Sequence, residues 1–336
     1  MSLFFDLSLL ALLIVVAFAI ARTRDLFAAV MFSGIYGLLS ASFFILSDAV
    51  DVAFTEASVG AGIFPILMLV VLSFVGRYEN DEHRTLKPKL IPLLVTLGCG
   101  AVLFVAFQQM PAFGSADAPA HQHVADRYLE QSYEEIHIPN VVTSVLASYR
   151  GFDTFGEVVV IFTAAIGVFA LLLGTVGWKA PRLTKPASMS NMSSHKVLRI
   201  VGKMLIPLIM LFGLYVQFHG EYGPGGGFQA GVIFAAGIIL YAMLFGMQSA
   251  LKVIPLSALR LLTALGVLLY GSVGVTSLLV GGNFLDYSVL LPDPVAGQHI
   301  GIIVIELGVG ITVAASMTLI FFAFALESIS AGDSDK

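Results

Sequence analysis

Nine stretches of this chain are each long and apolar enough to cross a bilayer, and little else about it constrains the fold so tightly. A helix rises 1.5 Å per residue and the hydrocarbon core is about 30 Å thick, so about 20 mostly apolar residues span it. The expected spans are residues 4–21, 26–47, 52–75, 90–107, 152–176, 197–218, 228–247, 258–280 and 300–326. The fold class that follows is all-α, a polytopic integral membrane protein with about nine transmembrane helices. Composition agrees. Of 336 residues, 58% are hydrophobic and 12% are charged, against roughly a quarter charged in a soluble domain. The start, MSLFFDLSLL, lacks the basic segment of a cleavable signal peptide and reads as the first helix.

Lys and Arg set the expected orientation, because positive charge favours the inner face. With the N-terminus outside and the C-terminus inside, only Arg127 and Arg150 of the 17 basic residues fall outside. The carboxylates lean the other way, with Asp48, Asp51, Asp117, Asp126, Glu130, Glu134, Glu135, Asp286 and Asp293 on outer connections. The slight net acidity and the lack of a basic stripe give no surface for nucleic acid. The single Cys99 excludes an internal disulfide and a cluster held by cysteines.

The segment WKAPRLTKPASMSNMSSH (178–195), rich in Pro, Ser and Met, reads as a flexible inner join. It divides the chain into a five-helix module (1–177), a linker (178–196) and a four-helix module (197–336), without a repeat between the halves. The largest outer connection, 108–150, ends in ADRYLEQSYEEIHIPNVVTSVLASYR. There Ile138, Val141, Val142, Val145 and Leu146 recur at helical spacing, which predicts a short helix along the membrane surface.

Four acidic residues lie in or at the mouth of apolar helices: Glu56, Asp153, Glu157 and Glu306. An unpaired charge deep in hydrocarbon costs from about 2.5 kcal/mol upward. Such a residue is expected to be protonated, paired or facing a wet cavity, and a carboxyl so placed can exchange a proton or bind Na⁺. Asp51 and Asp153, near helix starts, read equally well as interface anchors beside unpaired amides. A buried glutamate that only bonds a neighbouring helix is the competing reading for Glu56 and Glu306. Asp153 and Glu157 are four residues apart and share a face. Lys203 is the one basic residue well inside a span, either a partner for a buried carboxylate or a snorkelling side chain. From their distances to the outer boundary, the acids all lie on the outer side and Lys203 on the inner. That is a half-channel, completed by partner subunits.

Between the sixth and seventh spans lies FHGEYGPGGGFQAG (218–231). No Gly-Lys-Ser/Thr follows to make a phosphate loop, and no strand precedes it to make a dinucleotide site. Its glycines let the chain reverse sharply, or let backbone carbonyls face an ion or water. The outer histidines His121, His123, His137, His219 and His299 lack the placed ligands of a metal site and read as solvated. No catalytic set appears, so the expectation is not an enzyme, with no catalytic and no metal-ligating residues.

The stretch LIPLIMLFGLYVQFHGEYGPGGGFQAGVIFAAGIILY closely resembles the B subunit of Mrp-type multisubunit cation/proton antiporters. DVAFTEASVG (51–60) and RGFDTFGE (150–157) are similar to the C-terminal region of the large A component of those antiporters, and to helices of membrane-bound hydrogenases. The chain thus resembles the tail of that A component fused to a B component. The resemblance implies one subunit of a Na⁺/H⁺ antiporter in a bacterial or archaeal cytoplasmic membrane, with no cofactor and with Na⁺ and H⁺ as transported ions. It implies other antiporter membrane subunits and lipid as partners. The implied site comprises Glu56, Glu157 and Glu306 as exchangeable groups, with Asp153 and Lys203 as tuning charges. The glycine motif supplies His219, Glu221, Pro224, Gly225, Gly226 and Gly227. The ion-translocating arm of an energy-converting hydrogenase or a related redox complex is the alternative.

Overall fold

The computed structural model describes residues 2–79, 87–112, 114–173 and 196–334. Among these, nine helices are long and apolar enough to cross a membrane, in the order expected. The inner join at 178–195 lies outside the described residues.

The first part runs α1 (Ser2–Arg22), α2 (Leu26–Leu46), α3 (Val50–Ser58), a π turn at Val59–Ile63, α4 (Phe64–Val75) and α5 (Lys87–Gln108). Helix α3, the π turn and α4 together make the third span. Asp25 caps α2 by accepting from the amides of Phe27 and Ala28 at 3.0 and 3.3 Å. Its Oδ2 also accepts from Arg77 Nη2 at 2.7 Å, and the Leu26 amide donates to the Arg77 carbonyl at 2.8 Å. These contacts clasp the start of α2 to the end of α4.

The Arg77 hydrogen bond holds the Asp25 carboxyl below the ordinary aspartate range. A depressed folded pKa means stabilisation that is complete above the unfolded value of about 3.9 and is lost as pH falls through the folded one. Asp25→Asn is therefore expected to lower the Tm in detergent at pH 7, and the gap from the parent should close below about pH 4. A gap that is constant across that range would rule out the charged contact with Arg77 as its cause.

In the outer connection Val141, Val142, Val145 and Leu146 fall in helical turns, as their spacing predicts, within a longer series of short turns. It is built from α6 (Pro119–Gln122), a π turn at Arg127–Gln131, α7 (Ser132–Ile136), α8 (Val141–Thr143) and a second π turn at Ser144–Tyr149. The break falls at His137–Asn140, where His137 takes φ +63° and Pro139 cannot donate an amide. Ile136 and Ile138 are buried, whereas Val142 and Leu146 remain exposed. Glu135 Oε2 accepts from Tyr149 Oη at 2.5 Å and pairs with Arg127 at 3.2 Å. The tyrosine contact holds the Glu135 carboxyl below its usual range, while burial and then Glu135 push the Tyr149 phenol up to about 12.

The second part comprises α9 (Gly151–Leu173), α10 (Lys196–His219), α11 (Gly227–Phe245), α12 (Met247–Val253), α13 (Leu256–Val280) and α14 (Pro294–Ser334). Pro294 opens α14, where a missing amide costs nothing, and the helix starts six residues before the expected boundary. It is the axis of the molecule, packing on α13, α11, α9 and α4. Glycines permit this closeness, as lipid-embedded packing requires. At Gly266, an added Cβ would meet the Gly308 carbonyl at 2.5 Å. Tyr270 Oη donates to the Gly151 carbonyl at 2.7 Å, tying α13 to the start of α9, and Tyr287 Oη donates to the Ala147 carbonyl of the outer connection at 2.9 Å. Helix α5 is the opposite case, since residues 90–108 are all exposed.

Candidate functional site

Helices α3, α9, α11 and α14 converge at one end on a cavity of about 230 Å³. Asp51 and Thr55, one turn apart on α3, share the face that lines it. Thr154 and Glu157 reach it from α9, Glu306 from α14, and residues 225–227 from the glycine-rich turn. Among the described residues three carboxylates therefore border one space, and no Lys or Arg lines it. Like charges gathered away from bulk water require protons or cations to offset them. Hydroxyls and carbonyls beside carboxylates are the donor set that hard cations take.

The turn closes directly over Glu306. An added Cβ at Gly220 would lie 3.2 Å from Glu306 Oε2, and one at Gly226 would lie 3.2 Å from Oε1. Gly226 takes φ +112°, a conformation open at low cost only to glycine. At Gly227, any side chain would run into the Glu306 backbone carbonyl, and its Cβ would lie 2.9 Å from Val309 Cβ. The Gly226 amide donates to the Val216 carbonyl at 3.0 Å, which folds the turn back on the end of α10. The motif thus serves the first of the purposes that its sequence left open. It reverses the chain, and it leaves the Gly220 and Gly223 carbonyls directed at polar groups.

Those groups come from the other half of the chain. Asn140 Nδ2 donates to the Gly223 carbonyl at 3.0 Å and the Gly220 carbonyl at 3.2 Å, and lies 3.5 Å from Asp51 Oδ1. Thr143 Oγ1 donates to the Gly220 carbonyl at 2.6 Å, and the Asn140 amide donates to the Glu221 carbonyl at 3.1 Å. Gln229 Nε2 donates to Thr55 Oγ1 at 2.8 Å. Beside the turn, Glu221 Oε2 lies 3.2 Å from His299 Nδ1, while Glu221 Oε1 is buried without a hydrogen-bond partner.

Of the residues expected from sequence, Glu157 and Glu306 meet at the cavity and Asp51 joins them. Glu56 does not line it, because it turns towards Gly60 in the π turn of its own span. Asp153 pairs with Arg150 at 2.5 Å at an exposed position and does not line the cavity. Lys203 is on an exposed face of α10. It lies 16 residues from His219, or about 24 Å along the helix, so it is no direct partner for Glu306. His219 stacks on Tyr215 with centroids 4.8 Å apart, and Pro224 is exposed. His299, expected to be solvated, is instead half-buried against Glu221. Among the described residues no cluster of three or more His, Cys, Asp or Glu could hold a metal ion.

Asn140, Thr143, Thr154 and Gln229 were not evident in the sequence. Asn140 carries one local signal, since it precedes a helical turn and its Oδ1 accepts from the Val142 amide at 2.9 Å. Its partners in the glycine turn are 80 and 83 residues away, and no spacing rule reaches them.

A polytopic helical bundle that gathers carboxylates at one end, beneath a glycine turn, defines a class of ion-handling membrane proteins. Residues 197–319 match the family described as a domain related to the MnhB subunit of Na⁺/H⁺ antiporters. Residues 11–77 and 89–176 match the families described as MBH subunits D and E. A Staphylococcus aureus protein named as antiporter subunit mnhB2 is 34% identical over 131 residues, covering 37% of this chain and 92% of that protein. The chain belongs to the MnhB-related family of antiporter subunits. A Rhizobium meliloti protein named as a probable K⁺/H⁺ antiporter A/B subunit is 28% identical over 331 residues, covering 90% of this chain. This chain spans 32% of that longer relative. Among solved structures, the Mrp complex from Dietzia sp. DQ12-45-1b matches with a TM-score of 0.70 and 26% identity, over 93% of this chain and 34% of that one. An archaeal respiratory complex, the membrane-bound sulfane sulfur reductase, matches with a TM-score of 0.54 and 29% identity, over 71% of this chain and 98% of that one.

Proposed function

We propose that this chain is one subunit of a multisubunit Na⁺/H⁺ antiporter, and that the cavity bordered by Asp51, Glu157 and Glu306 is part of its ion path. The observation that carries this reading is the convergence of three carboxylates from α3, α9 and α14 on one space, without a basic residue lining it among the described residues. Such a space favours cations and protons and disfavours anions. The likeness to chains of an Mrp complex and of a K⁺/H⁺ antiporter supports the same reading.

In this proposal the chain is not an enzyme, needs no cofactor, and carries Na⁺ and H⁺ as cargo. It works with other antiporter membrane subunits, in lipid, in the cytoplasmic membrane of a bacterial or archaeal cell. Its N-terminus faces out, and residues 1–177 and 197–336 act as two modules joined by 178–196. The acids collect at one end of the bundle, so the path is a half-channel that partner subunits complete.

A second reading has its own support, because the chain matched in the sulfane sulfur reductase complex is covered almost entirely. There the same cavity would belong to a redox-driven arm. Gentle detergent purification from native membranes, followed by mass spectrometry, separates the two. The antiporter reading predicts antiporter-type membrane subunits alone. Stoichiometric iron–sulfur proteins would overturn it in favour of the redox-driven complex.

A further inference from the structure

We infer that Asn140 is a positioning residue that sets cation preference at the cavity, by pinning the glycine turn to α3 over Glu306. This inference rests on the proposed ion path and deepens it. Three oxygens converge on one side-chain amide: the Gly223 carbonyl at 3.0 Å, the Gly220 carbonyl at 3.2 Å and Asp51 Oδ1 at 3.5 Å. Two of them belong to the turn that lies over Glu306, and the third is a cavity carboxylate. The amide is a neutral donor in a position where a lysine would neutralise Asp51 and a carboxylate would repel it.

Asn140 is itself held firmly. Its Oδ1 accepts from the Val142 amide at 2.9 Å and its backbone amide donates to the Glu221 carbonyl at 3.1 Å. Thr143, on the following helical turn, donates to the same Gly220 carbonyl. The outer connection of the first half is therefore fastened to the turn of the second half at the cavity roof. Cation preference in an oxygen-lined site depends on how far the oxygens can spread and how many can approach. Of the three oxygens only that of Asp51 lines the cavity, and tying it and the turn that carries Gly225–Gly227 to a single planar amide restricts how far the cavity wall can spread. Loss of the amide leaves the turn free to widen, and the site then discriminates less between ions of different radius.

The test compares Asn140→Thr and Asn140→Ser in the complete complex, in everted vesicles given NaCl or KCl. Both variants keep an oxygen able to cap the Val142 amide, and both lose the amide donor. The half-saturating Na⁺ concentration is expected to rise about tenfold, the size of losing one or two hydrogen bonds. The Na⁺-to-K⁺ preference should narrow, while maximal flux stays near that of the parent. A residue with only a structural role would change abundance but not the preference between ions.

Glu306→Gln in the same assay separates the two levels of the argument. If it abolishes flux while the Asn140 variants keep parental half-saturation and preference, Asn140 is only a helix cap and the inference is wrong. If Glu306→Gln transports normally, the cavity is not the ion path and the inference falls with it. Failure of both Asn140 variants to accumulate would assign the residue to assembly and overturn the inference as well.

Discussion

Glu306→Gln is expected to lower cation-driven proton flux by about a hundredfold or more, the scale of losing an essential proton-transfer group, with the complex at parental abundance. Glutamine has nearly the same shape, so it should still fit against Gly220 and Gly226, where the carboxylate oxygens now lie. What it cannot do is hold an exchangeable proton or a negative charge. Glu157→Gln should reduce flux less, because Glu157 borders the cavity from an exposed position on α9. Glu56→Gln should change it least, since that side chain does not line the cavity. Sodium-driven quenching of a pH-sensitive dye in everted vesicles ranks the three directly. A ranking with Glu56 above Glu306 would move the path to the π turn in the third span.

The second large effect is on assembly. Gly227→Leu inserts a branched side chain where even a Cβ meets the Glu306 backbone carbonyl. Overpacking in a core usually costs about 1–3 kcal/mol. A carbonyl on the central helix cannot rotate away as a side chain would, so the cost should fall at or above the top of that range. Helices α11 and α14 would separate at the level of the cavity, and little chain should accumulate in membranes. Gly98→Leu in α5 is the matched comparison, because nothing lies within 4 Å of a Cβ there. In a thermal shift assay of the purified chain it should behave as the parent does. Equal loss from both substitutions would mean that bulk in any span, and not the α11–α14 contact, limits stability.

The spans could be read from the sequence because hydrocarbon imposes one requirement on every residue of a spanning helix, and that requirement is visible in one dimension. All nine expected spans coincide with long apolar helices among the described residues. The cost of a charge in an apolar run also marked Glu56, Glu157 and Glu306, of which the last two line the cavity and Glu56 does not. Other features were hidden for a physical reason. Asn140 and Thr143 are polar residues in a polar connection, where composition gives them no distinction. Their meaning comes from carbonyls about 80 residues away. The spacing of Val141, Val142, Val145 and Leu146 matches the helical turns at Val141–Thr143 and Ser144–Tyr149, but it does not register the αL residue His137 or the missing donor of Pro139 just before them. His299 looked solvated because its partner Glu221 lies 78 residues before it.

The most direct test of the ion-path proposal is cation protection of Glu306 against a hydrophobic carbodiimide, which reacts with protonated carboxyls in apolar surroundings. Native membranes would be treated across a range of NaCl concentrations, and the peptide containing Glu306 quantified by mass spectrometry. The account predicts that Glu306 is labelled in the absence of Na⁺ and that added Na⁺ progressively suppresses labelling, as proton and cation compete for one carboxylate. Labelling that is absent, or that stays the same at every Na⁺ and K⁺ concentration, would contradict it.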